Sequence, residues 1–541
     1  MPARTPLHEP PLSEPRVRKM TRAAFDRRAA ALRTQLLGLQ DQLKSEDFSV
    51  VILFAGSAVA GKNESLNLIT EWMDPRWIVT RAYGPPSDEE RTRPEYWRYW
   101  RDLPPRGRIG LFVGSWYHRP IHDRVYGHAG KKAFHAALDE VRAFERTLAA
   151  DGTLVLKFLL HLDKAATKKR MKAMEKNKHE AWRIGAQDWS HLKHHNKLEK
   201  ANRLAASYTN SAHGPWIVVD GSDPRGRAMT ILTSLRTAIE AHIKKRRARR
   251  ARIARALEAV ARARQRELDS VSANLSALQT EADGKLKGAG LARLPRVARD
   301  HRTPILDQLD MTRRLTDKAY ESALKAQRAK LGEMCRRLHF EGKAALILFE
   351  GPDAAGKGGA IRRLTASMDA RDYRVIQVAA PTEEERAQHY LWRFWRHVPQ
   401  AGRLTIFDRS WYGRVLVERV ERFSQPDEWA RAYDEINDFE KQITASGIVL
   451  VKFWIHISAD EQLRRFKERE TISYKKWKLT PEDWRNREKW DDYGAAVDEM
   501  VARTSTAAAP WTLVEGNDKK YTRIKVMDTV CGALRRGLKS S

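Results

Sequence analysis

Short apolar runs alternate with longer stretches of helical periodicity along this chain, a pattern of β-α units and a parallel sheet. In the C-terminal half the runs are AALILF (344–349), YRVIQVA (373–379), LTIF (404–407), IVLVKFWIH (448–456) and WTLV (511–514). Between and after them the spacing predicts helices over 358–368, 382–397, 427–446, 460–470 and 481–503. Five strands with helices on both faces make a doubly wound α/β sheet, whose ligand crevice lies at the carboxyl ends of the strands.

The N-terminal half repeats this pattern in register. LTDKAY (315–320) lies over MTRAAF (20–25), PTEEER (381–386) over PSDEER (86–91), and WRFWR (392–396) over WRYWR (97–101). VKFWIH (451–456) falls over LKFLLH (156–161), and APWTLVEG (509–516) over GPWIVVDG (214–221). One offset of 295 serves them all, and Trp, Gly and Pro recur with it, so two copies of one domain are fused in tandem. The expected division is a Pro-rich tail at 1–16, a first domain at 17–243, a basic linker at 244–304 and a second domain at 305–541. The linker contains KKRRARRARIARALEAVARARQRE (244–267), which reads as a helix with a solvated face or as a tether for a polyanion.

Composition narrows the partners. The 541 residues carry a formal charge of +31, which points to an anionic partner: nucleic acid, a phosphate polymer or an acidic membrane surface. Cys335 and Cys531 are too few for a disulfide framework and match a reducing cytosol. No run approaches the roughly 18 apolar residues of a membrane span, and the N-terminus lacks the apolar core of a signal peptide. The expectation is a soluble, cytoplasmic protein without a membrane partner. The 17 histidines show no HExxH or similar spacing, so no zinc site is expected.

The chemistry concentrates in two motifs. Gly351-Pro352-Asp353-Ala354-Ala355-Gly356-Lys357 follows a predicted strand and opens a helix, the context of a phosphate-binding loop. Its glycines let backbone N–H groups wrap phosphate oxygens, the helix start adds positive potential, and Lys357 adds a point charge. Gly358 and Gly359 follow, so the hydroxyl that usually ligates Mg²⁺ after the lysine is missing, and Asp353 is the carboxylate placed to replace it. Asp408 ends the strand LTIF and suits Mg²⁺ ligation. Arg409 and Arg414 flank Ser410-Trp411-Tyr412 and match phosphoryl oxygens. Tyr412 and most tryptophans read as packing. Arg393 and Arg396 lie among tryptophans at the end of a helix, and the basic, aromatic segment 464–490 reads as a lid that excludes water.

The first copy is incomplete. Asp353 becomes Ala58, Gly358 becomes Asn63, Asp408 becomes Val113 and Arg409 becomes Gly114, while Lys62 and Arg119 survive. The first copy can still hold phosphate, but it lacks the expected metal ligands.

At GPDAAGKGG, DRSWYGR, KKWKLTPEDW and APW the chain resembles the second polyphosphate kinase family, over about 310–540 and again, more loosely, over about 17–240. The resemblance implies two tandem P-loop kinase-like domains, each with a helical lid. It also implies Mg²⁺ (with Mn²⁺ as the alternative ion) and phosphate transfer between inorganic polyphosphate and nucleotides. The fused two-domain members are polyphosphate:AMP phosphotransferases, which implies AMP as acceptor and ADP as product. Carried over, Asp353 and Asp408 hold the metal, with Glu418 as a further acidic ligand. Lys357, Arg409 and Arg414 act on the transferring group. Gly351, Ala354, Ala355, Gly356, Gly358, Gly359 and Arg393 contact phosphate or nucleotide. Lys475, Lys476 and Lys478 of the lid bind or cover the polymer. The alternatives are an ATP-dependent nucleoside monophosphate kinase and, less favoured, a nucleic-acid-binding protein. The first copy is expected to be a pseudo-domain that mimics, within one chain, the dimer of single-domain relatives, with further homo-oligomerisation left open.

Overall fold

In the computed structural model residues 19–56, 58–178, 181–282, 304–471 and 481–539 are described. Strands β1 (Val50–Gly56), β2 (Ile78–Ala82), β3 (Ile109–Val113), β4 (Leu154–His161) and β5 (Trp216–Asp220) form one sheet in the order β2-β3-β1-β4-β5. Strands β6 (Ala345–Glu350), β7 (Tyr373–Gln377), β8 (Leu404–Asp408), β9 (Val449–His456) and β10 (Trp511–Glu515) form a second in the equivalent order β7-β8-β6-β9-β10. All pairings between these strands are parallel, and the offset of 295 carries through to the ladder, where Phe54 pairs with Val113 and Phe349 with Asp408.

Alternate residues of the central strands enter different cores, as a period of two requires. Val51 and Leu53 of β1 join Leu346 and Leu348 of β6 in one buried cluster that spans both copies. Val50, Ile52 and Phe54 face a core belonging to the first copy, and Ala345, Ile347 and Phe349 one belonging to the second. Each Val, Leu or Ile so buried contributes about 1.5–3 kcal/mol. The two sheets therefore share a central core and each carries its own outer layer.

The five strands of the second copy fall where the apolar runs place them. Two predicted helices are broken in the structure. The stretch 382–397 forms two short helices, Glu383–Arg386 and Trp392–Trp395. The break serves the other domain: the Ala387 carbonyl accepts the Arg106 backbone N–H at 2.8 Å, and Gln388 donates to the Leu103 carbonyl at 3.2 Å. The stretch 481–503 divides into Pro481–Glu488 and Trp490–Thr504 around Lys489, whose ammonium reaches Glu421 at 2.7 Å. Helices Asp317–Phe340 and Lys519–Lys539 were not among those predicted, and they pack on each other over the outer face of the second sheet. The basic run belongs to one helix, Pro224–Ala282, that begins inside the first domain. Arg246, Arg247 and Arg250 of that helix are ion-paired with Glu46 and Asp47. No helix among the described residues is long and apolar enough to cross a membrane.

Candidate active site

The loop after β6 is held in a shape that few side chains permit. Gly351 has φ 148°, and a Cβ there would lie 2.4 Å from the Ile455 carbonyl oxygen of β9, so only glycine lets the loop cross the strand end. Gly356 (φ 112°) turns the chain into helix Lys357–Thr365, whose first N–H groups face the crevice. Arg465 fixes the loop from behind. Its guanidinium is buried and donates to the carbonyls of Ala354 (2.8 Å), Ala355 (2.9 Å), Gly516 (2.6 Å) and Asn517 (3.0 Å).

Charged groups converge on this loop. Asp353 accepts from Arg409 Nη2 at 2.8 Å through Oδ1 and from Asn486 Nδ2 at 2.9 Å through Oδ2. Burial works against its charge, but the Lys357 and Arg409 cations and the Asn486 hydrogen bond hold the carboxyl below the usual aspartate range. Lys357 Nζ donates to the carbonyls of Gly351 (2.6 Å) and Pro352 (3.2 Å). Burial and then Arg409 lower its ammonium from the ordinary value, against the pull of Asp353, Asp408 and Glu350. Asp408 stands at the carboxyl end of β8, and its side chain makes no hydrogen bond among the described residues.

An open cavity of ≈ 800 Å³ lies over the loop. Asp353, Ala354, Ala355, Gly356, Lys357, Gly358, Gly359, Asp408 and Arg409 line it, which brings together most of the residues the sequence singled out. Arg362, Arg465, Arg469, Lys519 and Arg523 add a basic wall. Three predicted residues do not line this cavity. Arg414 lies over the Tyr390 ring and pairs with Glu418 at 3.0 Å, so that Glu418 faces a cation rather than the two aspartates. Arg393 donates to the Ala379 carbonyl at 3.1 Å and sits 3.5 Å from Glu385. Lys475, Lys476 and Lys478 lie outside the described residues.

Three residues of the site were not anticipated: Glu350, Arg465 and Asn486. Glu350 ends β6 fully buried, accepts from the Ser410 hydroxyl at 2.7 Å, and has its pKa raised by burial against the pull of Ser410, Lys357 and Arg409. Its signal was present in the sequence, because its counterpart is Ala55 and it therefore disappears from the first copy together with Asp353 and Asp408. Arg465 and Asn486 carry no comparable motif.

The Ser-Trp-Tyr triplet survives in both copies for a structural reason. Lys452 is buried and donates to Glu440 (2.7 Å), the Tyr412 hydroxyl (2.9 Å) and the Thr504 carbonyl (2.8 Å), while Trp411 and Tyr412 donate to the same Glu440. Lys157, Glu145, Tyr117, Thr209 and Trp116 repeat that network in the first copy. The fold keeps the triplet, and only the residues flanking it distinguish the two sites.

The family Polyphosphate kinase 2 matches residues 19–247 and 314–540. A polyphosphate:AMP phosphotransferase of Pseudomonas aeruginosa is 43% identical over 516 residues, covering 95% of this chain and 96% of its own. One from Acinetobacter johnsonii is 35% identical over 508 residues, covering 92% and 93%. A solved structure described as a polyphosphate kinase 2 from Pseudomonas aeruginosa superposes with a TM-score of 0.82 at 40% identity, covering 97% of this chain and 99% of that one. With both domains matched and the fold shared over nearly its whole length, this chain belongs to the polyphosphate kinase 2 family.

Proposed function

We propose that the second domain transfers the terminal phosphoryl group of inorganic polyphosphate to AMP, giving ADP, and that the first domain does none of this chemistry. The relatives that match over more than nine-tenths of this chain carry that activity in their names. The observation that carries the assignment to the second domain is the cluster of Glu350, Asp353, Asp408 and Arg409 around Lys357, of which the first domain keeps only the lysine.

In the reaction an α-phosphate oxygen of AMP forms a new P–O bond to the terminal phosphorus. The bond to the bridging oxygen breaks, and the polymer leaves one unit shorter with the electron pair. The attacking oxygen is already ionised at neutral pH, so the site needs positioning and charge neutralisation rather than a strong base. Lys357, the loop N–H groups and the start of helix 357–365 cradle phosphoryl oxygens. Arg409, set by Asp353 on one side of the loop, meets the charge that develops on the transferring group. The basic wall of Arg362, Arg469, Lys519 and Arg523 draws in the polyanion.

The donor set suits Mg²⁺ or Mn²⁺. Asp353 and Asp408 offer hard oxygens beside the phosphate cradle, and the Asp408 carboxylate has no competing hydrogen bond among the described residues. Asp353 and Asp408 would hold the ion, and when bound it would supply charge screening between the two phosphates. The two cysteines are free and buried, which fits a reducing compartment, and we place the reaction in the cytoplasm.

The test is ADP formation from AMP and long-chain polyphosphate with Mg²⁺ and no ATP. Product is expected. If ADP appears only when ATP is supplied, the protein is an ordinary nucleoside monophosphate kinase, and product from neither donor overturns the enzyme reading.

A further inference from the structure

The first domain keeps a pocket over its own loop, and its chemistry differs from that of the second. The turn into the helix is retained. Gly61 (φ 103°) turns into helix Lys62–Trp72 as Gly356 does in the second copy, and Arg227 holds the Ala60 and Gly221 carbonyls at 3.2 and 3.3 Å. The pocket measures ≈ 180 Å³, below the usual roughly 300–1,000 Å³ of a small-molecule site, so it takes a headgroup rather than a length of polymer.

The carboxylates that surround Lys357 are gone, replaced by Ala55, Ala58 and Val113. Lys62, Ser115, His118, His122 and His191 line the cavity instead. Two carboxylates remain in the lining. Glu199 is engaged by His161 and Arg203, both at 2.8 Å, and Asp188 caps its own helix through Gly185 N–H at 2.9 Å while facing Lys62. Burial first, and then His122, Lys62, His191 and Arg98, lower the His118 imidazole from its ordinary value.

Two donors in this pocket lack acceptors. Ser115 is only 5% exposed, and its hydroxyl makes no hydrogen bond among the described residues. Its counterpart Ser410 donates to Glu350, and Ala55 leaves Ser115 without that acceptor. Lys62 likewise makes none of the carbonyl hydrogen bonds that occupy Lys357, and no other hydrogen bond among the described residues. A half-buried cation and a buried hydroxyl lining one cavity at a helix start are the donor set of an anion site. The two carboxylates that offer metal ligands in the second copy are Ala58 and Val113 here, so that pair of ligands is missing.

We propose that this pocket is a metal-independent binding site for a terminal phosphate group, carried either by a nucleoside monophosphate or by the end of an oligophosphate chain. Lys62 supplies the counter-charge, the start of helix 62–72 supplies N–H donors, and Ser115 and the imidazoles complete the ring of donors. The site lies in the first domain alone and is independent of the donor that the second domain uses.

The experiment is calorimetric titration of the full-length chain carrying Lys357→Ala and Asp408→Ala, in EDTA, with AMP and with tripolyphosphate in turn. One saturable site is expected. AMP alone binding assigns the site to a monoester, and tripolyphosphate alone assigns it to a chain end. Lys62→Met should weaken that binding by at least about tenfold, the scale of one charge-assisted hydrogen bond. Ser115→Ala should weaken it several-fold and should fold normally, because it removes a hydroxyl that has no partner in the protein. If neither probe binds saturably, or if affinity survives both substitutions unchanged, the proposal is overturned. No turnover is measured, so the result is independent of the proposed reaction.

Discussion

Arg409 and Gly114 occupy the same left-handed backbone, at φ 65° and 67°. A side chain there costs about 1–2 kcal/mol, and such strain persists where the side chain serves a site. The first copy has relaxed to the residue that prefers this conformation. Arg409→Gly should therefore lose at least about 10² in rate, the scale of one preorganised electrostatic group. Its melting temperature should stay within a few degrees of the parent, since relieved strain offsets the lost Asp353 pair and the entropy of glycine. A large fall in melting temperature, or retained turnover, would contradict this. Glu350 gives a pH signature. Its folded pKa lies above the ordinary 4.5, so the stability it contributes is present below pH 4.5 and is lost as pH rises through the folded value. Glu350→Gln has no such loss and should gain stability over the parent between pH 4.5 and 7 in denaturant titrations; an equal difference at both ends would count against it. Asp353, Lys357, Asp408 and Arg409 were legible because they sit in motifs. Glu350 was overlooked because it lies one residue before its motif, although the same comparison between copies exposes it.

At the scale of elements, strand positions were legible and helix ends less so. An apolar run such as IVLVKFWIH fixes β9 to within a residue, because both faces of a central strand are covered. The breaks at 387–391 and at Lys489 depend on partners far away in sequence, Leu103 and Arg106 for one and Glu421 for the other, which local periodicity does not encode. The buried lysine in that same run was passed over. Lys452 ties β9 to helix Pro426–Ala445 through Glu440 and to the end of helix Trp490–Thr504 through the Thr504 carbonyl. Burial raises the Glu440 carboxyl and lowers the Lys452 ammonium, so the pair is held by geometry against desolvation. Lys452→Met should cost about 3–5 kcal/mol because it strands a buried carboxylate, and adding Glu440→Leu should recover much of that. Urea denaturation of the two variants checks it: a double mutant no more stable than the single would show that the pair itself stabilises the fold.

At the scale of the whole molecule the two copies form one body around a shared core. Trp100 and Trp395, each other's counterparts across the offset of 295, stack at 5.8 Å near the centre of the contact. Beside them Asp151 sits half-buried between Arg106 (3.2 Å) and Arg431 (3.3 Å), one from each domain, and with His389 they outweigh burial to keep its carboxyl below the ordinary range. Calorimetry should therefore show one unfolding transition, and Trp100→Ala should lower its stability by about 3–5 kcal/mol; two independent transitions would mean the domains only abut. Such an interface explains why a domain without counterparts of Glu350, Asp353 and Asp408 is retained: it completes the core of the one that has them. If only the second loop transfers phosphate, as proposed, ADP formation from AMP, polyphosphate and Mg²⁺ should separate an Asp353→Ala/Asp408→Ala protein from the parent. The parent should give ADP, and the rate should fall by more than about 10³ in the variant, whose first domain is intact. Appreciable turnover by the variant would contradict it and place chemistry in the first domain as well.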